Sequence, residues 1–279
     1  MVLIADSGST KTEWRFITSS KSIIPSYSAG FNPYFQDSQA IFNEITEKLN
    51  LDLLRQVKEI YFYGAGCATV EKKNVVKKAL QQVCLQAQSI LVQSDLLGAA
   101  RALCGTQTGI ACILGTGCNA CLYDGENIAF QPYSLGFWLG DEGSGGHLGK
   151  TLLVSFLRDE LPADLLKSFI DTFRLSKDEI MENIYRKPFP NRYCAGFAKF
   201  LHQHLSHDFI KNLVERCFED FFDRIVAKIP DFHNQTVHFT GSVAFYYKHV
   251  LEQVASQKQI NLGKFSENPI DGLVDYHNR

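Results

Sequence analysis

The chain opens on four apolar residues, 2–5, then a polar turn, Asp6-Ser7-Gly8-Ser9-Thr10-Lys11, then a second strand-like run from Thr12 to Phe16. The pattern reads as strand, turn, strand. Residues 28–34 form a loop, and Ile41, Ile45 and Leu49 then recur on one helical face behind a cap at Asp37 or Ser38. Residues 60–63 predict a strand ending in Gly64-Ala65-Gly66, and Val75, Val76, Ala79, Leu80 and Val83 predict a helix over 71–87. A strand over 89–93 delivers Ser94-Asp95 to the start of a small-residue helix. Residues 110–114 read as a buried strand that runs into Gly115-Thr116-Gly117. Residues 119–123 and 127–131 then pair as a hairpin about Asp124-Gly125. A helix follows over 147–159, and 161–228 is almost entirely helical, with a capping box at Ser176. A last strand over 236–240 turns through Gly241-Ser242-Val243-Ala244 into a helix from Phe245, and Pro269 opens a short final helix.

A length of 279 residues leaves room for two cores, at ~100–200 residues per domain. The turn-rich stretch 105–109 is the natural boundary. The expected domains are 1–105 and 106–268, the second with a helical insertion over 150–235, and a C-terminal helix, 269–279, free to pack back on the first. Net charge is −2 with both signs scattered, which argues against a nucleic-acid face. No apolar run approaches the ~18 residues of a membrane span. The N-terminus lacks a charged leader and cleavage site, so a cytoplasmic protein is expected. The eight cysteines sit mostly among apolar neighbours. Cys118 and Cys121 lack a second pair for zinc, and residues three apart in a strand face opposite ways. His202, His204 and His207 read as surface histidines, and the lysine pairs at 72–73 and 77–78 as a solvated face.

Three stretches and one further carboxylate offer chemistry. A buried strand that ends in glycines and hydroxyls presents bare backbone N–H groups to an anion, as Gly115-Thr116-Gly117 does, although a tight hairpin uses the same letters. The turn Gly8-Ser9-Thr10-Lys11 has the same two readings, and Asp6 beside it is placed to hold a cation, directly or through water. Asp95 is either a helix N-cap or a carboxylate beyond the carboxyl end of a strand, and the roles are compatible. The third stretch is Gly140-Asp141-Glu142-Gly143-Ser144-Gly145. Its glycines at a helix start would let a ligand reach backbone N–H groups, and packing alone suggests no reason for so many.

In this order the pieces resemble the actin-like ATPase and sugar kinase superfamily. Asp6 to Thr12 resembles its first phosphate loop, Leu114 to Gly117 its second, and Phe239 to Ala244 its adenosine loop. Asn32, Ser94-Asp95, Gly115 to Asn119 and Gly140 to Ser144 resemble the BadF-type ATPase family and, within it, the N-acetylglucosamine kinases. The resemblance implies an α/β fold of two actin-like (ribonuclease H-like) domains, each a mixed sheet flanked by helices, with nucleotide in an interdomain cleft. It implies phosphoryl transfer from ATP, with Mg²⁺, to the 6-hydroxyl of N-acetylglucosamine. Gly8, Ser9, Thr10, Lys11, Thr12, Gly115, Thr116 and Gly117 would hold phosphates, and Gly241 and Ser242 the adenosine. Asp6 would bind the metal, and Asp95 would be general base and sugar ligand. Asn32, Asn119, Asp141 and Glu142 would fix the sugar.

Departures are visible. Cys118 stands where that kinase family has serine, the chain is short for a mammalian-type enzyme, and 150–235 matches no motif. A glucosamine or other amino-sugar kinase is an alternative, with Glu142 available to an ammonium. An ATPase that activates a partner enzyme is another. Its relatives hold an iron–sulfur cluster at a dimer interface, for which cysteines beside a phosphate turn are poorly placed. A sugar sensor would most simply have lost Asp6 or Asp95. A homodimer is implied by the resemblance alone.

Overall fold

The computed structural model describes residues 1–8 and 10–278. The chain is α/β and divides into two compact units: Met1–Gln107 with Asp124–Ile128 and Asn268–Arg279, and Thr108–Tyr123 with Ala129–Glu267. Unit 1 carries β1 (Val2–Ser7), β2 (Lys11–Ile17), β3 (Ile23–Ala29), α1 (Ser38–Lys48), α2 (Leu51–Leu54), β4 (Glu59–Gly64), α3 (Val70–Val83), β5 (Ser89–Ser94) and α4 (Asp95–Cys104). The chain then forms β6 (Gly109–Leu114), β7 (Cys118–Tyr123), β8 (Ile128–Phe130), α5 (Gly136–Leu139), α6 (Gly145–Leu157), α7 (Ala163–Phe173), α8 (Lys177–Tyr185), α9 (Pro190–Ala195), α10 (Ala198–Gln203) and α11 (Asp208–Arg224). It closes with β9 (Val237–Thr240), α12 (Ser242–Tyr246), α13 (Lys248–Gln257), β10 (Leu262–Ser266) and α14 (Ile270–His277), the last belonging to unit 1.

Each unit is built on a five-stranded sheet, in the orders β3-β2-β1-β4-β5 and β8-β7-β6-β9-β10. The two orders are the same path walked twice. In unit 1, β1 pairs antiparallel with β2 and parallel with β4. In unit 2, β6 pairs antiparallel with β7 and parallel with β9. Register fixes what lies at the carboxyl edge. Ser7, Gly64 and Ser94 stand abreast on β1, β4 and β5, so the loops that follow them leave from one edge. On β9 and β10, Thr240 stands opposite Ser266.

Alternation sorts the strands of unit 1 onto two faces. Leu3, Ala5, Trp14, Phe16, Ile60 and Phe62 pack with Ile41, Ile45, Val76 and Leu80 from α1 and α3. Ile4, Ile17 and Tyr63 face Ile270, Leu273 and Val274 of α14. In unit 2 the helices α6 to α11 bury Leu152, Phe169, Phe200, Phe218 and Phe221 against Ile110, Cys112 and Phe239. The helical insertion is therefore core, not appendage. Among the described residues, no helix is long and apolar enough to cross a membrane.

Two strands were not expected. β3 is an edge strand, half-exposed at alternate positions and interrupted by Pro25, whose partner on β2 is Arg15. Proline suits such an edge, and it also breaks the sequence signal. It takes in Ser28 and Ala29 from the stretch read as a loop. β10, also at an edge, pairs with β9 through a register shift between Leu262 and Phe265, so its burial does not alternate. α3 ends at Val83, short of the expected 87, because the chain must cross to β5, where the Gln88 N–H reaches the Lys58 carbonyl at 2.7 Å.

α14 is pinned by a polar contact. The Tyr63 hydroxyl accepts from Arg101 Nη1 at 2.9 Å and lies 2.8 Å from His277 Nε2, so it donates to a neutral imidazole. His277 also stacks on Tyr61, with centroids 3.7 Å apart. Burial, and then the Arg101 charge, push His277 down to about 4. An unfolded histidine titrates near ~6.5. Between these values the unfolded chain holds the extra proton, so stability falls as pH falls through that window. His277→Gln keeps an acceptor but cannot titrate. It is expected to flatten the loss between pH ~6.5 and ~4.5 by about 1 kcal/mol, allowing for solvent at the half-buried ring. Urea unfolding of both proteins across that range is the check, and parallel pH profiles would refute it.

Candidate active site

In unit 1 the candidate residues gather at the carboxyl edge of β1, β4 and β5. The turn after β1 is closed by the Gly8 N–H, which donates to the Lys11 carbonyl at 3.0 Å. Thr12, expected at a phosphate, is instead fully buried. Its hydroxyl donates to the Ala29 carbonyl at 2.9 Å and lies 2.8 Å from Ser7 Oγ. Ser7 Oγ also accepts the Phe31 N–H at 3.0 Å. These two hydroxyls therefore tie three chain segments together and shape the turn, and Thr12 has none left for a ligand. Lys11 leans back on Glu13, Nζ to Oε1 2.7 Å, rather than standing free at the turn. Ser9 lies outside the described residues.

Phe31 packs with Trp14 and Phe62 in the core, centroids 6.2 and 6.3 Å away, and so anchors the residue that follows it. Asn32 Oδ1 accepts the Tyr34 N–H at 3.0 Å. The same oxygen would lie 2.6 Å from a Cβ on Gly66, whose φ is +75°. Gly66 is glycine for both reasons.

Asp95 is not the helix cap. Ser94 takes that role, its Oγ accepting the Leu97 N–H at 3.3 Å, and the Asp95 carboxylate accepts the adjacent Leu96 N–H at 2.9 Å. Burial raises its pKa, and the Leu96 N–H partly offsets this. Asp6 is pushed up to about 7, first by desolvation, then by the charges of Asp95 and Glu13. Glu13, which belongs to no motif in the sequence, joins this group in the structure. It is buried between Lys11 and Arg15, and it is the Cα partner of Asp6 across the β1–β2 pair. Three carboxylates thus share one edge, an arrangement that a bound cation relieves. Among the described residues no trio of His, Cys, Asp or Glu could hold a metal by itself. The oxygen-only donor fits Mg²⁺, which takes one or two carboxylates and completes its shell with substrate phosphates and water.

In unit 2 the turn Gly115-Thr116-Gly117 is both a hairpin and a candidate anion loop. It joins Leu114 of β6 to its partner Cys118 on β7, closed by Gly115 N–H to the Gly117 carbonyl at 3.0 Å. The N–H groups of Gly145 and Gly146, at the start of α6, donate to the carbonyls of Gly115 and Thr116 at 2.8 and 3.0 Å. With the carbonyls held on that side, the N–H groups of Thr116 and Gly117 have no acceptor among the described residues.

The same contacts overturn the expectation that the glycines before α6 expose a helix N-terminus. Its first N–H groups are all used: Gly145 and Gly146 on the turn, His147 on Ser144 Oγ at 3.1 Å, and Leu148 on the Ser144 carbonyl at 2.9 Å. Packing does require the glycines. A Cβ on Gly143, at φ +74°, would meet Phe221 Cβ at 2.8 Å, one on Gly146 would meet the Thr116 carbonyl at 3.0 Å, and one on Gly149 would overlap the Cys194 carbonyl.

The acids between those glycines do face a cavity. A space of about 240 Å³ is lined by Asn119, Asp141 and Glu142, with Tyr133, Leu135 and Ile225 as its apolar wall. Asp141, at φ +56°, accepts the Cys118 N–H at 3.4 Å. Burial raises its pKa, the Cys118 N–H opposes the shift, and Glu142 adds to it. Its Oδ2 lies where a Cβ on Gly117 would come within 2.9 Å, so the glycine makes room for the carboxylate. Asn119 Oδ1 accepts from Gln131 Nε2 at 3.1 Å and from the Ala120 N–H at 3.0 Å.

A second cavity in unit 2, about 520 Å³, is floored by Gly115, Thr116 and Ser242 and walled by Lys199, His202 and Tyr246. Gly241 does not line it but sets its turn, at φ +106°, with a Cβ there excluded by the Leu114 carbonyl. The sequence marked the floor through its glycines and hydroxyls. The wall comes from α10 and α12, helical residues with no motif to reveal them.

Among known proteins, no family model and no curated sequence matches the chain. A solved structure from Porphyromonas gingivalis, of a protein provisionally named an N-acetylglucosamine kinase, is 42% identical over 99% of this chain and 98% of its own, with a TM-score of 0.94. A Chromobacterium violaceum protein with the same provisional name is 16% identical over 99% and 98%, with a TM-score of 0.74. A Listeria monocytogenes protein provisionally named an N-acetylmannosamine kinase is 10% identical over 99% and 97%, with a TM-score of 0.52. The last two share the fold alone.

Proposed function

We propose a function from one premise: the chain belongs to the family of the Porphyromonas gingivalis protein, the sugar kinases built on the actin-like ATPase fold. The reaction is transfer of the γ-phosphoryl group of ATP to the 6-hydroxyl of N-acetylglucosamine. The observation that carries it is Asp95, a carboxylate excused from capping by Ser94 and set at the same sheet edge as Asp6. The sugar is favoured by the name of the Porphyromonas gingivalis protein and by the smaller cavity of unit 2.

Phosphoryl transfer is mostly positioning and charge stabilisation. Asp95 accepts the proton of the 6-hydroxyl as that oxygen attacks the γ-phosphorus, and ADP departs with the bridging oxygen. Magnesium, when bound, offsets the charge of the phosphate oxygens, and Asp6 is the residue that would hold it. In unit 2 the bare N–H groups of Thr116 and Gly117 suit phosphate oxygens, and in unit 1 the turn of Gly8 and Lys11 does so separately. Gly241 and Ser242 shape the adenosine side. Asn119 and Asp141 suit sugar hydroxyls and an amide, since an amide and a carboxylate together offer donors and acceptors. Asn32, in unit 1, carries an amide that suits sugar hydroxyls for the same reason. Glu142 beside Asp141 also suits an ammonium, which keeps glucosamine as a second acceptor to compare.

Phosphorus NMR of the product tests the position of transfer. A phosphomonoester coupled to the two C6 protons is expected, and a signal coupled to the anomeric proton would refute it. Asn119→Ala is expected to raise the KM for sugar by about tenfold and to leave that for ATP within about twofold. Equal changes in both would move Asn119 to the nucleotide.

A further inference from the structure

The larger cavity of unit 2 has a wall that neither the phosphate turn nor the adenosine turn supplies. α10 provides it, with Lys199 and His202 facing the same space as Thr116 and Ser242. We propose that Lys199 binds the phosphate chain of the donor nucleotide, which makes the helical insertion part of the ATP site. The inference rests on the sugar-kinase reading and assigns it a further binding residue.

Three features of the cavity fit Lys199 for this role. The first is rigidity. The Tyr247 hydroxyl donates to the Ala198 carbonyl at 2.6 Å, and both residues line the cavity. His202 Nε2 lies 3.2 Å from the Tyr246 carbonyl. α10 is thereby fastened at two points to the segment that follows Gly241, so Lys199 keeps its place relative to that turn. The second is shape. Ala195, Ala198 and Val243 are small, and the half-exposed Tyr246 ring lies at the same space, leaving room for a flat ring with its polar substituent directed along the wall. The third is charge. Lys199 is the one lysine or arginine lining the cavity, and no carboxylate pairs with it among the described residues. An ammonium has three donors and no acceptor, so it selects a group rich in acceptors. A nucleotide offers that group in its phosphates, and adenosine without phosphates does not.

The test is calorimetry on the full chain without sugar, with ADP, AMP and adenosine as ligands, comparing wild type, Lys199→Met and Lys199→Arg. Lys199→Met is expected to weaken AMP and ADP by about tenfold and to leave adenosine unchanged, while Lys199→Arg recovers most of the loss. In turnover the KM for ATP rises and kcat and the sugar KM hold. Unchanged ADP binding by Lys199→Met would overturn the proposal. So would a loss for adenosine as large as that for ADP, or an arginine variant as weak as the methionine one. Failure of the wild type to bind ADP at all would refute the sugar-kinase reading itself, and this inference with it.

Discussion

Asp95→Asn is expected to fold and to bind sugar much as the wild type does, and to lose about 10²- to 10⁴-fold in kcat, the usual contribution of a general base. The substitution is structurally mild because the helix does not depend on the carboxylate. Ser94 caps α4, and the bond that Asp95 accepts from the Leu96 N–H can be accepted equally by an amide oxygen. What the amide lacks is the capacity to take a proton. It also removes the charge that helps to push up the Asp6 carboxyl. Asp95→Asn is therefore expected to be no less stable than wild type, which separates loss of chemistry from loss of fold. Turnover alongside thermal unfolding and sugar calorimetry makes the comparison. A folded Asp95→Asn protein with near-normal kcat would end the assignment of the base.

Gly149→Ala is expected to cost stability rather than chemistry. The new methyl would overlap the Cys194 carbonyl, a backbone atom on α9 that cannot rotate away, so α6 and α9 must separate. Overpacking of this kind costs about 1–3 kcal/mol, and a backbone neighbour places it at the upper end. At ~2–4 °C per kcal/mol for a domain of this size, Tm should fall by about 10 °C. Gly115→Ala is the control. A Cβ there meets nothing within 4 Å, and Tm should hold. A Gly149→Ala protein that melts with the wild type would show that the two helices tolerate more space than their packing indicates.

These two residues also mark what the sequence could and could not say. The strand ends were legible because β1, β4, β5, β6 and β9 are apolar runs that stop at glycines, hydroxyls or acids. Asp6, Asp95, Gly115 and Gly241 could be singled out on that ground alone. β3 and β10 were not legible: an edge strand buries little, so its letters carry no period. The identical strand orders of the two units were hidden for a related reason, since a topology can repeat where side chains do not. Glycine was read one way where two were open. Gly140, Gly143 and Gly145 lie beside acids and a helix start, and the letters do not distinguish close approach of a ligand from close approach of Leu135, Phe221 or Ala195. Thr12 shows the same ambiguity for a hydroxyl: beside a phosphate turn it reads as a ligand, and only the partners at Ala29 and Ser7 reveal a tie between strands. Glu13 and Lys199 belong to no motif. They matter through what faces them across a strand pair and a cavity, and such facing is fixed only by the fold.

Transfer of a phosphoryl group from ATP to an amino sugar is the proposed reaction. Its most direct test is ADP release from Mg-ATP, measured against N-acetylglucosamine, glucosamine, N-acetylmannosamine, glucose and no sugar. Turnover that depends on N-acetylglucosamine is the predicted result. Turnover indifferent to sugar, or none with any of the four, would contradict the account.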